Sequence, residues 1–63
     1  MNMHKENKII LDYIKKEKVI TSSELAKKLS INWNTAEKYL LELAVDNKVN
    51  KIKKLGVNLW MLK

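Results

Sequence analysis

The stretch Val19-Ile20-Thr21-Ser22-Ser23-Glu24-Leu25-Ala26-Lys27-Lys28-Leu29-Ser30-Ile31-Asn32-Trp33 decides how this chain is read. Thr21 with Glu24 three positions on fits a capping box. The threonine hydroxyl accepts from a backbone N–H of the first turn, and the glutamate reaches back to the N–H of the cap. Ile20 and Leu25 flank that cap where a hydrophobic staple closes. Leu25, Ala26 and Leu29 then share one face of a short helix, with Lys27 and Lys28 outside. Val19-Ile20 is a β-branched pair long enough only for a stub strand. Ser30-Ile31-Asn32 breaks the pattern, and Asn32 is a good N-cap for a further helix from about Trp33 to Asn47. Asn34-Thr35-Ala36-Glu37 offers a competing cap, so two starts are open.

Working outward, residues from about His4 to Lys18 read as a helix. At 100° per residue, Ile9, Ile10, Leu11, Tyr13 and Ile14 fill one broad side, and Lys5, Lys8, Asp12, Lys15 and Lys16 the other. In the helix that starts near Trp33, Ala36, Tyr39, Leu40, Leu43 and Ala44 form the apolar face. Asn34, Glu37, Lys38, Leu41 and Val45 lie opposite. The remainder, Val49 to Lys63, holds strand formers around the only glycine, Gly56. It reads as a β-hairpin with its tip at Lys54-Leu55-Gly56-Val57. Its second strand alternates imperfectly. Val57, Leu59 and Met61 fall on one side, Trp60 and Leu62 on the other, so either both faces are partly covered or the strand bulges. The core expected from this periodicity is Ile10, Ile14, Leu25, Leu29, Ile31, Ala36, Leu40, Leu43, Val49 and Trp60.

The implied fold class is α+β, mostly α. Three helices and a small three-stranded antiparallel sheet follow one another as α-β-α-α-β-β, in one domain spanning residues 1–63. A chain of this length buries only about 60% of the surface its unfolded form exposes, so little stability is in reserve. This order, with the stretch from Val19 to Ile31, then Thr35-Ala36 through Tyr39-Leu40 to Leu43, resembles the winged helix-turn-helix DNA-binding domains. The ending from Lys48 to Trp60 is similar to the wing hairpins of small archaeal-type transcriptional regulators. The resemblance implies a third helix lying in the major groove of double-stranded DNA and a wing against the backbone.

Charge agrees with such a partner. Thirteen lysines and no arginine stand against seven acidic residues, a net charge of +6. A basic excess of this density suits a polyanion. Lysine neutralises phosphate well but lacks the planar fork that reads guanine bidentately, so phosphate contact is favoured over rich base readout. An AT-rich genome gives the same composition. The chain has no cysteine, hence neither a disulfide nor a thiolate metal site. Its apolar runs are too short for a membrane span, and its start does not read as a signal peptide, so a cytoplasmic, nucleoid-associated protein is expected. An enzyme is not expected. The single histidine, His4, has no partner residues, no serine has a histidine in reach, and one glycine makes no phosphate-cradling loop. No cofactor, metal or small-molecule effector is implied.

Carried over position by position, the resemblance places Trp33, Asn34, Thr35, Glu37, Lys38 and Leu41 of the third helix, with Asn32 at its start, against the DNA. Asn34 can pair bidentately with adenine, and Lys38 can reach guanine or phosphate. Glu37 either accepts from cytosine or repels phosphate, and both Asn34 and Glu37 have an alternative as helix caps. Trp33 either roofs the core or presses on the sugar-phosphate edge. On the wing, Lys51, Lys53 and Lys54 cluster with Asn58 opposite, where they either meet phosphates or protect an edge strand from aggregation. Ser22, Ser23, Lys27 and Lys28 are placed to hold the DNA backbone. One such module makes a small interface, so a homodimer is expected. Its contact surface is either the wide apolar arc of the first helix or Leu41 with Val45. The competing reading is a winged-helix protein-interaction module within a larger assembly.

Overall fold

The structure, a computed structural model, describes residues 4–63, with side chains from Asn7 onward. The readings of His4 and Lys5 lie outside the described side chains. The elements are α1 (His4–Glu17), β1 (Val19–Thr21), α2 (Ser22–Leu29), α3 (Trp33–Val45), β2 (Val49–Lys54) and β3 (Val57–Leu62). The α-β-α-α-β-β order holds, with a mostly helical α+β layout of winged-helix type.

Both expected N-caps are present. The Thr21 N–H donates to Glu24 Oε1 at 2.8 Å, and the Glu24 N–H donates to Thr21 Oγ1 at 3.1 Å, closing the box at α2. At α3 the choice between the two caps falls on Asn32, whose Oδ1 accepts from the Thr35 N–H at 2.9 Å. The helix ends are less conventional. Each helix is followed by a non-glycine residue in the left-handed region: Lys18 (φ 76), Ser30 (φ 56) and Asn47 (φ 62). After α2 the Ile31 N–H donates to the Ala26 carbonyl at 3.0 Å. After α3 the Lys48 N–H donates to the Leu43 carbonyl at 2.9 Å. These six-to-one closures absorb carbonyls that the helix itself leaves unpaired. The turn at Asn47 ends α3 at Val45, short of the expected Asn47.

The strands form one antiparallel sheet in the order β1-β3-β2. Directly paired residues share a face. Ile20, Lys51 and Trp60 are therefore on one side, with Lys53 and Asn58 beside them. Thr21, Ile52 and Leu59 are on the other side, with Val57 and Met61. The register runs unbroken from Val49↔Leu62 to Lys54↔Val57, so β3 carries no bulge. Both faces are partly covered instead: Trp60 is buried, and Leu59 and Met61 across from it are half-buried. The β2–β3 loop is two residues, Leu55 (φ 53) and Gly56 (φ 80). Positive φ at both positions is what a type I′ turn requires. Glycine adopts it freely, whereas a leucine there costs roughly 1–2 kcal/mol.

The core is Ile10, Ile14, Ile20, Leu25, Ala36, Leu40, Leu43, Val49 and Trp60. Ile20 was not among the residues expected there; it is drawn in by pairing with Trp60. Leu29 and Ile31 were expected to be buried but are only half-buried, packed against the edge of the core. Of the apolar arc of α1, Leu11 and Tyr13 also pack on the core, which leaves only Ile9 largely exposed.

Candidate nucleic-acid interface

The sheet and the helices are joined by a chain of side-chain hydrogen bonds. The indole Nε1 of Trp60 donates to Ser22 Oγ at 3.0 Å. The Ser22 hydroxyl donates to Glu37 Oε1, and Asn58 Nδ2 donates to Glu37 Oε2 at 3.1 Å. One glutamate of α3 thus accepts from the first residue of α2 and from the hairpin. A buried indole N–H without an acceptor would cost about 1–3 kcal/mol, and Ser22 supplies one.

Three of the residues expected at the DNA, Ser22, Glu37 and Asn58, are members of this hydrogen-bonded chain. Ser22 is 3% exposed, with its hydroxyl engaged as both donor and acceptor. Glu37 and Asn58 are half-buried and turned toward each other, and Asn58 Oδ1 is enclosed without a partner. All three residues use these hydrogen bonds to hold the wing against α3. The cap of α3 engages only Asn32 Oδ1 and the Thr35 backbone N–H; Asn32 is exposed and Thr35 half-buried.

The other candidates are exposed. Trp33 is 50% exposed and outside the core, so it does not roof it. With Ser23, Gly56, Val57 and Asn58 it lines a recess of about 230 Å³, so the starts of α2 and α3 meet the wing there. Asn34, Lys38, Leu41 and Val45 lie along one groove of about 540 Å³ beside α3, which Glu37 also lines and Asn7 of α1 borders. Since Glu37 is bonded to Asn58, this helix face and the wing adjoin.

Lys51, Lys53 and Lys54 are exposed on β2, with Lys51 Nζ lying 6.0 Å from the centre of the Trp60 ring. Register sends Lys53 to the face that carries Asn58 and Lys54 to the opposite face. Lys27 and Lys28 are exposed on α2, but Lys28 turns toward α1, with its Nζ 5.4 Å from the Tyr13 ring centre.

The electrostatics of α3 are divided along its length. Lys38 is its only basic residue, against Glu37 and Glu42, and Asp46 follows at its end. The positive charge of this surface therefore comes mainly from the wing. Two exposed residues of the wing tip, Leu55 and Val57, had drawn no functional reading from the sequence; the apolar residue set immediately before Gly56 was the available signal.

Among the described residues, no group of three or more His, Asp or Glu side chains is placed to hold a metal ion, and no helix is long and apolar enough to cross a membrane. Comparison of the chain with known protein families, with curated proteins and with solved structures returns no match.

Proposed function

We propose that this protein binds double-stranded DNA in the manner of the winged helix-turn-helix domains it resembles, as a transcriptional regulator acting on cytoplasmic DNA. The first half of α3 enters the major groove, where Asn34 and Lys38 meet base edges and Trp33 the backbone. Lys51, Lys53 and Lys54 of the wing, with Ser23, meet phosphates. The observation that carries this reading is the bond from Asn58 to Glu37. It ties the wing to α3 at Glu37, whose neighbours on the same helix face, Asn34 and Lys38, are exposed, and Asn58 pairs across the ribbon with Lys53. Pairing of two copies on a two-fold site enlarges the small interface of one module.

The test is duplex binding across a salt series, with selection of bound sequences from a random pool. Lys53→Ala and Lys54→Ala should weaken every duplex about equally, each lowering the salt slope by about one. Asn34→Ala should cost ~1–3 kcal/mol on the selected site and little on scrambled duplex. Identical behaviour of the three variants refutes base reading by α3.

A second reading rests on the far half of the same helix. Leu41 and Val45, the latter 81% exposed, share the groove with Glu42 and Asp46. Carboxylates beside exposed apolar groups are unfavourable against phosphate and suit a protein partner. Retention of partner binding in Lys53→Ala with its loss in Val45→Asp would favour a protein-interaction module.

A further inference from the structure

The tip of the wing holds an oddity that packing does not explain. Leu55 is 94% exposed, the most exposed of the large apolar residues among those described. It also sits at φ 53, in the first position of a two-residue turn where asparagine or glycine is the usual occupant. A bulky side chain in the left-handed region is strained. With nearly all of its surface in solvent, Leu55 recovers nothing from the fold in return. Strain without a structural return points to a contact outside the molecule.

What flanks Leu55 defines that contact. Lys53 and Lys54 precede it and leave the ribbon on opposite faces, Lys53 beside Asn58 and Lys54 beside Val57. The tip therefore presents an apolar point with an ammonium group on either side. That arrangement is complementary to a groove with two anionic walls and an apolar, stacked floor. The minor groove of DNA has this composition, and it is about 6 Å wide in the B form, so a hairpin enters only by opening it. Proteins that open it insert a Leu, Ile, Met, Phe or Pro side chain between base pairs, which unstacks one step and bends the duplex toward the major groove.

We propose that Leu55 is such a wedge: the wing drives it into a base step from the minor groove while Lys53 and Lys54 hold the phosphates on the two walls. This rests on the DNA-binding reading above. It adds that the protein deforms its site, and that it prefers flexible pyrimidine–purine steps under the wing without reading their edges.

The experiment uses the whole chain and a duplex of about 20 base pairs with 2-aminopurine at a central TA step and a donor–acceptor dye pair at its ends. The parent protein should raise 2-aminopurine fluorescence and bring the ends closer, with a bend of about 20–90°. Leu55→Asn and Leu55→Ala should still bind, within about tenfold of the parent, but lose most of both signals. Leu55→Met should keep them. Leu55→Asn should also melt no lower than the parent, because asparagine suits the turn; this separates a wedge from a structural residue. If the parent binds duplex and Lys53→Ala weakens it, yet no unstacking occurs or Leu55→Asn unstacks equally, the wedge is overturned and DNA binding stands. If Leu55→Asn changes only self-association, the tip is a protein contact and the wedge is again overturned. If the parent fails to bind duplex at low salt, the DNA reading falls and the wedge with it.

Discussion

The two ends of the β2–β3 hairpin are built from the same kinds of residue and have opposite fates. At the base, Val49 and Trp60 are buried, Ile20 pairs with Trp60 from β1, and the indole N–H donates to Ser22, whose hydroxyl donates to Glu37. At the tip, from Lys53 to Val57, every residue is exposed. Between them stands Asn58, half-buried and bonded to α3. The difference teaches that alternation and β-propensity make a hairpin, whereas tertiary contact decides which part of it belongs to the core. The base carries stability, and the tip is left free to touch something else.

The comparison breaks first at Trp60. Trp60→Ala should cost ~3–5 kcal/mol, the cavity adding to the transfer loss, and so unfold much of a domain this small; thermal denaturation followed by circular dichroism measures it. A variant that melted like the parent would mean that the base is no more essential than the tip. Glu37→Ala sharpens the boundary between the two ends. It leaves the Ser22 hydroxyl and the Asn58 amide without their acceptor, at ~1–3 kcal/mol. Amide exchange should rise most on the β2–β3 pairs next to Asn58, and unchanged protection there would show that the wing needs no tie to α3. The smallest effect is expected at the tip. The double substitution of Lys53 and Lys54 by alanine should move stability by no more than ~0.5 kcal/mol while lowering duplex affinity. A large loss of stability would show that the tip lysines support the fold.

Much of the architecture was legible because its signals are local. The Thr21–Glu24 box and the Asn32 cap operate across three positions, and the helical faces of α1 and α3 repeat within a turn or two. Helix ends were harder to read. With one glycine in the chain, left-handed closure falls to Lys18, Ser30 and Asn47, and of these only the asparagine is a residue type that signals it. Ile20 read as a staple residue of α2, and only pairing with β3 makes it core.

By itself, then, the sequence determined the order of helices and strands, the position of the turn at Gly56 and a surplus of lysine. Each follows from backbone preference, periodicity or a simple sum of charges. Only the tertiary structure decided which polar residues face inward. Ser22 looked like an outward contact because it stands in the polar run Thr21–Glu24, Glu37 because it shares a helix face with Asn34 and Lys38, and Asn58 because it lies opposite the lysines of β2. Their bonds join residues separated by 15, 21 and 38 positions. A hydroxyl or carboxyl group carries no mark of whether its partner is water, phosphate or another side chain until the chain brings that partner within 3 Å or so.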